Sequence, residues 1–315
     1  MVTGVGAIVG YGIIRSLRTG RYDVNIVGMD IYGDAVGQHW CDVFIRSLKA
    51  ADENYCSFLS NVMSQYNIDL VFFGTEQEIY KLYDNKDHFQ IDYNKLVLNK
   101  RGLIDLSRDK WEMSKYLTAN NFTVIKSIIE GDYSSAANKL GLPFLLKPRC
   151  SYASKGIEKI ETTEDYYYWK NKLGNNFLVQ EIIGDDDHEY TIGVFGLGDG
   201  TFSQSITFQR KLSVEGSTVK AKTVNISDID EEISKLVLLF MPVGPTNIQL
   251  RFHKGKYLLL EINPRISSST SLRTAFGFNE ADMCIEYYLE SGKPRPTKIM
   301  QGSAIRYIED LVKPD

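Results

Sequence analysis

Residues 258–269 read LLLEINPRISSS, an apolar strand followed by an acid, an amide, an arginine and a run of serines. Glu261 and Asn263 are two positions apart, so both side chains are expected on the same face of that strand. Carboxylate and amide oxygens, with the other coordination positions left to water and phosphate, are what Mg²⁺ prefers. The stretch therefore predicts a divalent metal site on a β-strand.

The neighbouring strand signal, TNIQLRF, adds a third candidate metal ligand, Gln249. The intervening HKGK predicts a hairpin that brings the two strands together. Eleven residues separate Gln249 from Glu261, and we expect an odd number to place both side chains on one face unless a bulge intervenes. The alternative interpretation is a solvated β-hairpin with scattered polar residues.

Upstream, Lys147 ends an otherwise apolar strand, PFLLKP. A buried ammonium needs a partner, because burial of an unpaired charge is costly, and a phosphate is a suitable one. The loop that follows offers backbone N–H groups together with Ser151, Ser154 and Gly156, which suits a flap over phosphates. Lys110, within a helix predicted over residues 105–120, is a second cation for the same site. The alternative is a strand-end lysine that reaches solvent.

The first hundred residues alternate strand and helix signals, which predicts an α/β unit of the doubly wound kind. Gly4, Gly6 and Gly10 imitate a dinucleotide fingerprint with the third glycine one position late, and Asp30 stands where a ribose ligand is expected. We favour the alternative, in which the glycines allow a tight turn and bring a helix dipole near an anionic group. The opening strand is several residues short, so we expect the native start to lie upstream of Met1.

Composition excludes several classes of protein. The 315 residues suggest two or three packed units, and 43% hydrophobic with 24% charged residues is ordinary globular usage. A formal net charge of −4 argues against nucleic acid or anionic lipid as the main partner. The four cysteines show neither metal-ligand spacing nor a disulfide framework, and no apolar run is long enough to span a membrane. These features predict a cytoplasmic protein.

Together, the motifs carry a resemblance to a known family. The order of Lys110, Lys147, the small-residue flap, the hinge VQEIIG, Glu189 in HEYT, and the two metal-site strands resembles an ATP-grasp enzyme. The likeness is closest to one synthetase unit of the large subunit of carbamoyl phosphate synthetase. The N-terminal TGVGAIVGYGIIRSLR is similar to the preATP-grasp domain of that family, which does not bind a dinucleotide.

The resemblance implies a mixed α/β and α+β fold in three parts. Residues 1–100 would form a Rossmann-like preATP-grasp domain. Residues 101–177 would form the N-terminal ATP-grasp lobe with its phosphate flap, and residues 178–315 the C-terminal lobe with an antiparallel sheet and the metal site.

The resemblance also implies the roles of individual residues in ATP binding. The phosphates would be bound by Lys110, Lys147 and the flap residues Ser151, Ser154 and Gly156. The hinge residues Gln180, Glu181 and Ile183 would meet the adenine, and Glu189 would bind the ribose hydroxyls. One or two Mg²⁺ ions, with Mn²⁺ as an alternative, would be held by Gln249, Glu261 and Asn263.

In catalysis, the family implies that Arg265 and Lys147 stabilise charge on the transferring phosphoryl group. Tyr11, Glu76, Arg265 and Arg273 are the candidates for substrate contact, and Arg273 has the equal alternative of a surface arginine. Ser268 departs from the pattern, since the carbamoyl phosphate family usually has a second arginine there.

The activity expected from the resemblance is that of an ATP-dependent carboxylate–amine ligase, which forms an acyl phosphate and then an amide. Its substrates would be small molecules, and a homodimer is one option for its assembly. Three alternatives remain open: phosphorylation of a small carboxylate as in carbamoyl phosphate synthesis, an ATP-binding regulator without turnover, and a dinucleotide oxidoreductase. The last would leave Lys147 and the EINPR segment unexplained.

Overall fold

The computed structural model describes residues 1–86, 91–150, 156–213 and 216–312. It contains a three-stranded, a four-stranded and a six-stranded sheet, each accompanied by helices, which confirms the expected mixture of α/β and α+β structure. Two of the predicted flap residues, Ser151 and Ser154, lie outside the described residues.

The N-terminal region has a parallel sheet in the order β1-β2-β3. Bridges from Val2 to Phe72 and from Val71 to Leu96 continue this sheet on the other side of β1, as a doubly wound topology requires. The third strand was not predicted, because it is only four residues long and half-buried. The elements are β1 (Val2–Thr3), α1 (Ile8–Arg18), β2 (Val27–Asp30), β3 (Val43–Arg46), α2 (Tyr55–Gln65) and α3 (Glu76–Asp84).

The glycines before α1 serve packing. A Cβ on Gly10 would lie 2.2 Å from the carbonyl oxygen of Gly4, so only glycine fits where the helix crosses the turn. Asp30 accepts hydrogen bonds from the backbone N–H groups of Gly6 at 2.7 Å and of Tyr32 at 3.0 Å. Both carboxylate oxygens of Asp30 are therefore used to close the turn, as the tight-turn interpretation expects.

The middle region forms the four-stranded sheet, in the order β4-β7-β5-β6. One helix was predicted over residues 105–120, but the structure has two, because Asp109 leaves the helical conformation and caps the second through the N–H groups of Trp111 and Glu112. The sheet ends at Glu181, beyond the domain boundary predicted at residue 178. The elements are α4 (Arg101–Ser107), α5 (Lys110–Ala119), β4 (Ser127–Ile128), α6 (Tyr133–Leu140), β5 (Phe144–Pro148), β6 (Glu158–Ile160), α7 (Thr163–Leu173) and β7 (Phe177–Glu181).

The C-terminal region is built on the six-stranded antiparallel sheet, in the order β12-β11-β8-β9-β10-β13. After α10 the chain continues as a wider π-helical turn over Ile285–Leu289. The elements are β8 (Glu189–Leu197), β9 (Phe202–Leu212), β10 (Thr218–Thr223), α8 (Ser227–Phe240), β11 (Val243–His253), β12 (Lys256–Asn263), α9 (Thr270–Ala275), α10 (Glu280–Cys284) and β13 (Ser303–Ile305).

The two faces of the six-stranded sheet differ in character. On one face, Ile192 and Val194 of β8 and Ile248 and Leu250 of β11 pack against α8. The helix presents its apolar residues at helical spacing, namely Ile229, Ile233, Leu236, Val237 and Phe240. Because side chains alternate along a strand, the intervening residues of β8 and β11 point to the opposite face, where the polar residues gather.

Candidate active site

The opposite face of the sheet places the three predicted metal ligands side by side. Gln249 of β11 pairs directly with Glu261 of β12, and Asn247 pairs with Asn263 in the next row. Directly paired residues on adjacent strands have Cβ atoms about 4.5–5.5 Å apart, so the carboxylate and the amides share one surface.

This register has a different cause from the one expected from residue counting. The hairpin turn has two residues, since His253 pairs with Lys256, and such a turn alone would place Gln249 opposite residue 260. A bulge leaves Leu260 unpaired and shifts the pairing by one, so that Gln249 lies opposite Glu261. The predicted pair is correct, but the parity argument is wrong and the bulge explains the pairing.

Lys147 lies in a pocket that Lys110, Gln180 and Glu261 also line. It is 8% exposed and donates a 2.7 Å hydrogen bond to Gln180 Oε1. Burial, together with the neighbouring charge of Lys110, lowers the pKa of Lys147 to about 8, against the opposing effect of Glu261. The lysine is thus a cation held in a costly position, which an anionic ligand would stabilise.

The N-terminus of α5 is joined to the end of β5. The backbone N–H of Lys110 donates to the carbonyl oxygen of Arg149 at 3.2 Å, and its Nζ lies 3.5 Å from the same oxygen. Arg149 forms an ion pair with Asp109 at 2.6 Å. Gly156, the last residue of the predicted flap, has φ +74°, a conformation that favours glycine. The contacts to Arg149 place Lys110 beside the residue at which β5 leads into the predicted flap.

The predicted hinge, VQEIIG over residues 179–184, is hydrogen-bonded both to the region of the four-stranded sheet and to that of the six-stranded sheet. Glu181 exchanges two hydrogen bonds with Lys126, one from its own N–H and one to its carboxylate, both 3.0 Å. Gly184 has φ +56° and its N–H donates to His253 Nδ1 at 3.0 Å. A Cβ on Gly184 would lie 2.4 Å from the carbonyl oxygen of Phe252, so the hairpin β11–β12 closes tightly on the hinge.

Beside the hinge lies a small apolar cluster. Ile183 is buried against Ile125 and Leu258, with Leu260 packed on them. Apolar walls next to a few fixed polar groups are typical of sites for planar ligands. The adenine contact predicted at Gln180, Glu181 and Ile183 therefore has a suitable surface, and it stays a prediction.

Glu189 starts β8 at the expected place, yet its carboxylate already has partners. It is 3% exposed, and Arg210 donates to Oε1 at 2.7 Å through Nη2 and at 3.1 Å through Nε. Arg251 forms an ion pair with the other oxygen, Oε2. In this structure both oxygens bind guanidinium groups, which does not match the open ribose acceptor that the resemblance implied.

Arg210 and Arg251 were missed by the sequence analysis. Arg210 Nη2 also donates to Gln249 Oε1 at 2.7 Å, so it lies beside the predicted metal ligands. Arg251 lies close enough to Lys147 to contribute to the lowering of its pKa. A signal was present for Arg251, because it is two residues from Gln249 and therefore on the same face of β11.

Arg265 connects the metal-site strand with the N-terminal region. Its Nε donates to Glu76 Oε1 at 2.9 Å, and its Nη2 lies 3.4 Å from Asn263 Oδ1. Tyr80, a further residue that sequence reasoning missed, lies in the same corner with the Arg108 guanidinium 4.1 Å from its ring centre. Burial, and then the nearby Glu76 carboxylate, raise the pKa of Tyr80. The predicted residues Arg265 and Glu76 are thus in direct contact.

Arg273 was predicted as a candidate for a substrate carboxylate, and this prediction is wrong. Its side chain is fully buried and forms an ion pair with Glu280 at 3.1 Å. It also donates to Thr191 Oγ1 at 3.2 Å and to Asn247 Oδ1. A Cβ on Gly193 would lie 2.7 Å from Arg273 Nε, so a glycine is needed where the guanidinium crosses the sheet. Arg273 therefore supports the polar face of the sheet through its hydrogen bonds to Thr191 and Asn247.

The remaining substrate candidate, Tyr11, is partly exposed on α1 and packs edge-on against Trp40, with 6.2 Å between the ring centres. Within the described residues, no group of three or more His, Cys, Asp and Glu could hold a metal ion. The predicted ligand set has one carboxylate and two amides, and the donor chemistry suits a hard cation that keeps water and phosphate oxygens.

Part of the chain matches a known family model. Residues 175–311, which include the predicted hinge and the predicted metal-site strands, match a family model described as "ATP-grasp in the biosynthetic pathway with Ter operon". Over these residues the chain is similar to ATP-grasp proteins, as the motifs in the sequence led us to expect.

Several solved structures share the fold over nearly the whole chain. N5-carboxyaminoimidazole synthetase from Staphylococcus aureus, complexed with ADP, matches with a TM-score of 0.72 and 18% identity over 95% of this chain and 78% of that one. Biotin carboxylase from Campylobacter jejuni matches with a TM-score of 0.69 and 14% identity, over 93% of this chain and 71% of that one. L-amino acid ligase from Bacillus licheniformis has a TM-score of 0.64 and 14% identity, over 91% and 74%.

A curated relative is more similar in sequence but matches over a shorter stretch. The formate-dependent phosphoribosylglycinamide formyltransferase of Prochlorococcus marinus is 28% identical over 190 residues, which are 57% of this chain and 46% of the relative. This chain therefore spans about half the length of the curated relative that it matches. No helix in the described part of the chain is long and apolar enough to cross a membrane.

Proposed function

We propose that this protein is an ATP-grasp enzyme, an ATP-dependent ligase that joins a small carboxylate to an amine. The observation that supports the proposal best is the pocket in which Lys147 and Lys110 face Glu261 across the two lobes. A buried lysine with a lowered pKa, opposite a carboxylate on a strand with amide ligands, suits a metal-bound nucleoside triphosphate.

The reaction has two steps. A carboxylate oxygen of the acid attacks the γ-phosphorus of ATP, the bond from that phosphorus to the bridging oxygen breaks, and ADP leaves with the electron pair. The amine nitrogen then attacks the carbonyl carbon of the acyl phosphate, loses a proton, and expels inorganic phosphate as the amide forms. The two steps consume one ATP and need no nucleophilic side chain of the protein.

The protein supplies charge and position in both steps. Lys147 and Lys110 would bind phosphate oxygens of ATP. Arg265, which contacts Asn263 and Glu76, would stabilise the transferring phosphoryl group. Glu261, Gln249 and Asn263 would hold Mg²⁺, which when bound neutralises charge on the β- and γ-phosphates. Gln249 Oε1 accepts from Arg210 here, so it must turn from that partner to reach a metal.

The experiment that tests nucleotide binding is calorimetry with Mg-ADP and a non-hydrolysable ATP analogue, with NADH as the control ligand. We expect adenine nucleotides to bind only with Mg²⁺, and NADH not to bind. Lys147→Ala should abolish the signal, while Lys115→Ala, an exposed lysine paired with Glu112, should keep it. Binding of NADH alone, or full binding by Lys147→Ala, would refute the site.

Ligase activity is tested by screening pairs of carboxylates and amines for ADP release. With the correct acid and hydroxylamine in place of the amine, the acyl phosphate is expected to be trapped as a hydroxamate. ADP release with an acid, without any hydroxamate, would contradict the acyl phosphate step.

A further inference from the structure

Arg306 lies in the C-terminal segment, just after the last strand of the sheet. Its backbone N–H donates to the carbonyl oxygen of Val219 at 2.8 Å, which fixes this residue at the edge of β10. Its guanidinium turns back toward the metal-site loop, where Nη2 donates to the carbonyl oxygen of Ser268. Among the residues that the structure describes, its Nη1 is buried and has no hydrogen-bond partner.

Helix α1 lies against the segment that follows Ser268, since a Cβ on Gly12 would lie 3.2 Å from Thr270 Cγ2, and its residues Tyr11 and Arg15 are neighbours of Arg306. Burial lowers the pKa of Arg306, and the neighbouring Arg15 acts in the same direction, whereas Tyr11 acts in the opposite one. Tyr11 and Arg15 are four residues apart on α1, so they share one face of that helix. A buried guanidinium donor without an acceptor, beside a second guanidinium, is costly until an anion binds.

We propose that Arg306, Arg15 and Tyr11 form a subsite for an anionic group, a carboxylate or a phosphate, on one of the substrates. This inference rests on the proposed ligase function and adds a chemical class to its unidentified acid or amine. Arg306 binds the anion through its free Nη1, Arg15 adds charge from the exposed side of α1, and Tyr11 offers a hydroxyl at the same corner.

The subsite is continuous with the reaction centre. Arg210, which bonds to Gln249, also lies 3.4 Å from Thr218 Oγ1, and that hydroxyl lies 3.4 Å from Ser269 Oγ. Ser269 is adjacent to Ser268, whose carbonyl oxygen accepts from Arg306. A short chain of polar contacts within the protein therefore connects the anion subsite to the predicted metal ligands.

The test uses the full chain saturated with Mg²⁺ and a non-hydrolysable ATP analogue, so that the γ-phosphate position is already filled. Inorganic phosphate and succinate are then titrated separately by calorimetry. We expect one of these anions to bind to the wild type, and Arg306→Gln to weaken that binding by at least about tenfold without changing affinity for the analogue. Preference for phosphate or for succinate identifies the anionic group.

Arg15→Gln is a second variant, at an exposed position of α1, and it should weaken binding of the same anion by about threefold or more. Arg101→Gln, an exposed arginine paired with Asp105, is the matched control and should bind as the wild type does. If the ATP analogue does not bind to the wild type, the proposed function is rejected. Normal analogue binding without anion binding, or anion binding unchanged in both Arg306→Gln and Arg15→Gln, would reject only the subsite.

Discussion

The buried lysine makes nucleotide affinity depend on pH in a defined direction. The pKa of Lys147 in the free protein is lowered to about 8, chiefly by burial and then by Lys110. Phosphates bound against it favour the charged form and raise that pKa again. Affinity for Mg-ADP should therefore be constant well below pH 8 and should fall as pH rises through that value, because binding then requires uptake of a proton.

The size of the effect follows from the same pKa. With a value of about 8, the charged fraction of Lys147 falls from about three quarters at pH 7.5 to about one tenth at pH 9. The dissociation constant should rise by about eightfold over this interval, or about 1 kcal/mol. Both pH values lie above the range in which the last phosphate proton of ADP dissociates, so the nucleotide contributes little.

The assay is calorimetry of Mg-ADP at pH 7.5 and 9, at constant ionic strength, and in two buffers with different ionisation enthalpies to count protons taken up. Lys147→Arg is the matched control, since an arginine stays charged throughout and should remove both the proton uptake and the pH dependence. Wild-type affinity that is equal at the two pH values, or an identical pH dependence in Lys147→Arg, would refute the reasoning.

Three further changes test other parts of the site. ADP is titrated with and without Mg²⁺, and the ratio of the two affinities measures the effect of the metal. Glu261→Gln should reduce this ratio by at least about tenfold relative to the wild type, and an unchanged ratio would contradict the metal assignment. Arg265→Ala should lower the rate of ADP release by about 100-fold or more while nucleotide affinity stays within about threefold, whereas equal losses would make it a ground-state binder. Arg273→Met should lower the free energy of unfolding in urea by about 3–5 kcal/mol, because Glu280 is left buried without its partner. If that variant keeps wild-type stability, the buried ion pair is not structural.

Local patterns in the sequence were sufficient for most of the fold. Apolar residues at helical spacing mark α8 in the sequence, and the caps at Asp132 and Thr162 mark the starts of α6 and α7. The break before Lys110 was missed, because its cause is a long-range contact: Asp109 caps α5 while it also pairs with Arg149, forty residues away in sequence. A pattern within one helix cannot reveal such a partner.

The site was predictable where the motif lies on one strand and less so where several strands meet. Glu261 and Asn263 were found from their spacing alone. The cluster around Glu189 depends on a row that crosses three strands, with Arg210 on one side and Arg251 on the other. The position of that row is set by pairings that neighbouring residues do not encode. Arg273 was misassigned for a similar reason, since its burial follows from Gly193 on another element.

The charges of the completed site indicate which carboxylate is available to a metal. Five cationic and three acidic side chains lie at the site, which is a surplus of two positive charges, although the whole chain has a formal net charge of −4. These side chains are those of Lys110, Lys147, Arg210, Arg251, Arg265, Glu76, Glu189 and Glu261. Glu76 is paired with Arg265, and Glu189 with two arginines. Within the described residues Glu261 has no ion pair, although Lys147 lies in the same pocket. A surplus of cations suits the phosphates of a nucleotide, and the one carboxylate without an ion pair is the one that stands opposite Gln249, where a divalent metal would be bound.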